Sequence, residues 1–118
     1  MITGELYGKH FKVIADSMRA AAAELGNTIY IGGQILHYDG TNSWNIPDRL
    51  WNEGFFQEVG DAADFYVVHN YFGNTGSVSN LLNVGQQAPN DMMDFIEQDI
   101  INKNATSRPI AITEWNMG

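Results

Sequence analysis

The run Asp64-Phe-Tyr-Val-Val-His-Asn-Tyr-Phe72 (DFYVVHNYF) decides the fold class. Phe65 to His69 is β-prone and apolar at consecutive positions, so the strand it predicts is covered on both faces, the habit of a parallel strand enclosed by helices. Working outward, Pro47 opens a helical pattern in which Trp51, Phe55 and Val59 share one face and Gly60 ends it. Upstream, Ile29 to Leu36 reads as a strand whose glycines, Gly32 and Gly33, mark a backbone that something approaches closely. Before it, Phe11, Ile14, Met18, Ala21, Ala22 and Leu25 recur at steps of three and four between Thr3, an N-cap, and Gly26, a terminator, which predicts a helix. Downstream, Asn70 to Pro89 carries Gly73, Gly76 and Gly85 and is expected to be a long loop with one helical turn near Ser79 to Val84. Asn90 then caps a third helix burying Met92, Met93, Ile96 and Ile100, and Arg108-Pro109 leads into a strand from Ile110 to Glu114.

The order is helix, strand, helix, strand, helix, strand, with each connection long enough for a right-handed crossover. That is parallel α/β. Two architectures satisfy it: an open doubly wound sheet, or part of a (β/α)8 barrel, which takes about 250 residues in full. A three-stranded parallel sheet leaves exposed edges, and no helix follows the last strand, so the expectation is a partial barrel with residues 1–118 as a single segment.

Composition narrows the function classes. The 118 residues carry a formal net charge of −8 with only six Lys and Arg, which removes the basic surface that phosphate tracking needs and makes nucleic acid a poor partner. A hydrophobic fraction of 44% supports a sizeable core. There is no cysteine, hence no disulfide, thiolate nucleophile or Cys-ligated zinc. No apolar run is long enough to span a membrane, and the N-terminus does not read as a signal peptide. The three histidines are too scattered for a metal site, and no cofactor motif is present.

Strand alternation groups Ile110, Ile112 and Glu114 on one face, and Phe65, Val67, His69 and Tyr71 on one face of the neighbouring strand. If both faces line the same interior, Glu114, His69 and Tyr71 emerge together at the C-terminal ends of the strands, where barrel active sites sit.

The strand ends HNY (69–71) and ITEWN (112–116) resemble the sixth and seventh strands of the retaining (β/α)8 glycoside hydrolase clan; DFYVVHNYF, DMMDFI (91–96) and PIAITEWN (109–116) resemble, more narrowly, its β-agarase and porphyranase type. The likeness spans the chain as strands five to seven with their helices. It implies Glu114 as nucleophile, a polysaccharide such as agarose or porphyran as substrate, no cofactor, and an extracellular or periplasmic setting. It also implies an acid/base Glu after Asn at the end of the fourth strand, and no such pair precedes the first helix. Glu5, in TGELYG, fits a first helical turn favoured by the helix dipole better than a proton donor.

Tyr71 is the candidate donor to the Glu114 carboxylate, and His69 either binds a sugar hydroxyl or tunes that pair. Trp115 and Asn116 follow by resemblance as an apolar platform and a hydroxyl contact, with Asn70 beside them. Trp44, in the loop after the first strand, faces the same mouth and either lines a saccharide cleft or packs on its neighbours; Gln34, within that strand, and His37 carry the same two readings. Bland readings stand alongside: Glu114 as a capping or ion-paired residue, His69 as a satisfied core histidine. Two rival functions remain, an arabinofuranosidase- or xylosidase-like barrel enzyme and a non-catalytic carbohydrate-binding module. Exposed strand edges and an open inner face predict self-association or pairing with the rest of a barrel.

Overall fold

The computed structural model describes residues 2–72 and 76–117. Three helices and a three-stranded parallel sheet follow one another as α1 (Gly4–Glu24), β1 (Gly32–Gln34), a 3-10 turn (Ile46–Asp48), α2 (Trp51–Val59), β2 (Phe65–Phe72), α3 (Val78–Asn102) and β3 (Ile110–Met117). Strand order is β1-β2-β3, so β2 is central. No helix among the described residues is long and apolar enough to cross a membrane.

α1 starts where Thr3 accepts the Leu6 N–H and ends in the reciprocal bonds of a Schellman motif, Asn27 N–H to Ala22 and Gly26 N–H to Ala23, with Gly26 left-handed. Its buried face is Gly4, Gly8, Phe11 and Ala15. The expected apolar face is therefore rotated: Ile14, Met18 and Leu25 are exposed. The reason is α2, which lies against α1 so closely that a Cβ at Gly4 would fall on the Trp51 carbonyl and one at Gly54 on the Glu5 nitrogen. Small residues permit that approach, so glycines define the contact and the larger apolar side chains are left outside. Pro47 belongs to the 3-10 turn, and α2 begins only after Leu50, whose φ is 62°.

β2 alternates cleanly. Tyr66, Val68 and Asn70 are buried on the side covered by helices, while Phe65, Val67 and His69 are half-buried and Tyr71 is exposed on the other, open face. The core lies between sheet and helices, with Phe55 fully buried against the Tyr66 and Phe11 rings and against Gly33. The glycine pair in β1 thus divides its work, Gly33 admitting Phe55 on one face and Gly32 admitting Phe65 on the other.

Two further expectations change. The loop expected over 70–89 is absent from the described residues: β2 runs on to Phe72, and α3 starts at Val78 with Ser77 as N-cap, not at Asn90. Gly73 lies outside the described residues. Pro89 sits inside α3, although a proline removes one helical donor. The buried residues of α3, Met92, Ile96, Asp99 and Ile100, all follow Pro89; its first turns are largely exposed.

Candidate functional site

β2 and β3 pair in register from Tyr66↔Ile110 to Val68↔Ile112, then slip: His69 pairs with Glu114, Tyr71 with Asn116. Thr113 is the extra residue of a bulge. Directly paired residues in a parallel sheet share a face, so Ile110 and Ile112 lie on the helix side with Tyr66 and Val68, and strict alternation would have sent Glu114 there too. The bulge turns Glu114 to the open face with His69 and Tyr71. The expected grouping of Ile110 and Ile112 with Glu114 is thereby corrected, while the convergence of Glu114, His69 and Tyr71 is present.

At this point the Tyr71 hydroxyl donates to Glu114 Oε2, and His69 Nδ1 stands 3.5 Å from the same oxygen. On the other side of the ring His69 Nε2 lies 3.1 Å from Thr113 Oγ1. The Tyr71 phenol is raised above its ordinary pKa, first by its hydrogen bond to Glu114 and then by burial and the carboxylate's charge. Ionising Tyr71 would remove the proton it shares and set two negative charges together.

His37 is half-buried in the loop after β1, edge-on to Tyr38 at 5.3 Å. Its pKa is lowered by burial and, second, by the charge of His69, so it belongs to the same neighbourhood. Gln34 pairs with Val67 and therefore shares the open face below His69. Its backbone bonds point to the sheet edge, where Tyr7 hydroxyl accepts its N–H at 3.2 Å and Trp51 Nε1 donates to its carbonyl at 3.1 Å. Asn116 lies exposed on the open face beside Tyr71.

Two candidates fall on the other side of the sheet. Asn70 is buried on the helix side, its Nδ2 donating to Met92 Sδ at 3.5 Å. Trp115 pairs with Asn70 and lines a groove with Phe72, Gly85, Pro89 and Ile112, across the sheet from Glu114. Trp44 is 92% exposed. Glu5 is ion-paired with Lys9 on α1.

A cluster that sequence reasoning missed anchors the loop carrying His37. Asn52 accepts the Leu36 N–H at 2.7 Å and donates to the Leu36 carbonyl at 2.9 Å and to Asp99 at 2.8 Å, and Asp99 also pairs with Lys103. These residues border a cleft lined also by Tyr38, Asp39, Asp48 and Trp51, whose lining includes none of Glu114, His69 and Tyr71. The cleft is lined by groups already engaged: Asp48 accepts from Tyr38, Ser43 and Asn45. Spacing of Asp99 and Lys103 at i,i+4 was the one legible signal for this cluster. No group of three or more His, Asp or Glu suited to a metal ion occurs among the described residues.

No family model and no curated protein matches the chain.

Proposed function

We propose that the chain is part of the catalytic barrel of a retaining glycoside hydrolase that cleaves a polysaccharide, with Glu114 as nucleophile. The observation that carries this reading is the bulged strand end, where Glu114 meets the Tyr71 hydroxyl and the His69 ring on the open face at the C-terminal ends of adjacent parallel strands. Ligands of parallel α/β sheets bind outside those ends. The open face, with Phe65 and Val67 half-buried and no helix above them among the described residues, supports further strands closing the sheet, or a second copy covering it.

In the retaining mechanism a Glu114 oxygen bonds to the anomeric carbon as the glycosidic bond breaks, and a second, protonated carboxyl about 5–5.5 Å away gives its proton to the leaving oxygen. Water, deprotonated by that second carboxyl, then releases the sugar from the ester. Tyr71, donating to Oε2, keeps the carboxylate aimed. The proton donor is to come from beyond the Tyr71, His69 and Glu114 cluster. By resemblance the substrates are agarose- or porphyran-type galactans outside the cytoplasm, with arabinofuranosides or xylosides as the alternative.

A second reading, a carbohydrate-binding module without catalysis, is favoured by Glu114 being the one carboxylate bonded within this cluster among the described residues. The test is hydrolysis of agarose, porphyran, xylan and arabinan oligosaccharides by the chain and by its longer reading frame, each with Glu114→Gln. Loss of turnover by orders of magnitude with oligosaccharide binding retained is expected. Unchanged turnover would end the nucleophile assignment; binding with no turnover in any form would leave the module.

A further inference from the structure

We infer that Thr113 is a positioning residue: its hydroxyl donates to His69 Nε2 and holds the ring in the Nδ1–H tautomer, with that proton turned toward Glu114. The tautomer follows from the two contacts of the ring. A neutral imidazole carries one donor and one acceptor nitrogen, and an ionised carboxylate only accepts. Nδ1 faces Glu114 Oε2 at 3.5 Å, so a lone pair there would point at a negatively charged oxygen, and the proton belongs on Nδ1. Nε2 is then an acceptor, and the atom 3.1 Å away is a threonine hydroxyl, which can donate.

The backbone explains why a hydroxyl is there at all. In an unbulged strand, neighbours 113 and 114 would point to opposite faces. Alternation from Ile110 and Ile112 already puts Thr113 on the open face opposite His69, and the slip adds Glu114 to that face, so the imidazole meets the hydroxyl on one side and the carboxylate on the other. The Tyr71 hydroxyl, the other donor beside the ring, is engaged by Glu114 and does not compete for Nε2. A hydroxyl also survives a change of charge. When His69 is protonated both nitrogens donate, and Oγ1 can turn to accept. Valine has the same shape without that capacity.

The consequence for catalysis, two donors directed at one carboxylate oxygen before substrate arrives, rests on the glycosidase reading; the tautomer does not. The chain labelled with 15N-histidine is recorded by long-range proton–nitrogen correlation at pH about 8.5, where ordinary imidazoles are neutral, and His69 is assigned by its loss in His69→Gln. The wild type and Thr113→Ser are expected to show the Nδ1–H pattern, and Thr113→Val a ratio moved toward Nε2–H by about tenfold, equivalent to about 1.4 kcal/mol and within the reach of one hydrogen bond. An Nε2–H pattern in the wild type overturns the inference, as does an unmoved ratio in Thr113→Val. If Thr113→Val loses the wild-type circular dichroism, the wild-type tautomer and its retention in Thr113→Ser decide alone. Nδ1–H in His69 without any Glu114-dependent hydrolysis would keep this role for Thr113 and discard the glycosidase reading.

Discussion

Asn52 is the residue on which the loop carrying His37 depends most directly. It is 7% exposed, and its amide makes three hydrogen bonds, two to the Leu36 backbone and one to the carboxylate of Asp99. Asn52→Leu keeps the branching at Cγ and deletes all three. The Leu36 N–H, the Leu36 carbonyl and one Asp99 oxygen then face an aliphatic side chain. A buried polar group left unpaired costs about 1–3 kcal/mol, and more where a charge is involved. Three such groups, less what water entry and the added apolar burial recover, give a net loss of about 3–5 kcal/mol. Against a typical total of about 5–15 kcal/mol this is a large fraction. Urea unfolding followed by circular dichroism measures it: with an m-value of about 1–3 kcal/mol/M, the midpoint should fall by about 1 M or more at unchanged m. A shift below about 0.3 M, less than the least that a single orphaned group would give, would refute the reasoning. Asn52→Asp supplies a check on mechanism. It retains an acceptor for the Leu36 N–H but sets a second carboxylate against Asp99, so its deficit should shrink as pH falls toward the ordinary carboxylate value of about 4.

Gly54→Ala tests the close approach of α1 and α2. Helix propensity alone favours alanine by about 1 kcal/mol, but its Cβ would lie 2.5 Å from the Glu5 nitrogen, a backbone atom that cannot step aside. A net destabilisation of about 1–2 kcal/mol is expected, and a rise in melting temperature would contradict the packing. Asp64 is held below the ordinary carboxylate range, first by the Ile31 N–H and then by the Arg19 guanidinium, each at 2.7 Å. Its pKa is lower folded than unfolded, so its contribution is complete above the unfolded value of about 3.9 and fades as pH falls through the folded one. Asp64→Asn should therefore flatten the acid limb of the stability curve; an equally steep limb would exclude Asp64 as its source. Glu114→Gln should bring the Tyr71 phenol down toward its ordinary value of about 10 by removing the carboxylate that raises it. Ultraviolet titration beside Tyr71→Phe reads this, and an unmoved transition would mean that the two side chains do not meet.

The amino-acid sequence by itself determined the class and the order of elements. Thr3 and Gly26 bound α1 because a cap oxygen and a residue free to adopt positive φ are local requirements. The consecutive apolar residues of β2 marked a parallel strand, and the period of two that any extended chain has brought His69 and Tyr71 to one face. Tertiary structure decided what depends on a neighbour. Which side of α1 is buried was set by the backbone of α2, which selects Gly4 and Gly8 over Ile14 and Met18. The start of α3 came down to Ser77, although Pro89 and nearby glycines read locally as a loop. Asn52 looked like any polar residue near a helix start until Leu36 and Asp99 were brought to it. Most consequentially, Glu114 reaches His69 and Tyr71 only because β3 slips by one residue against β2, and register is a relation between two strands that neither strand carries alone.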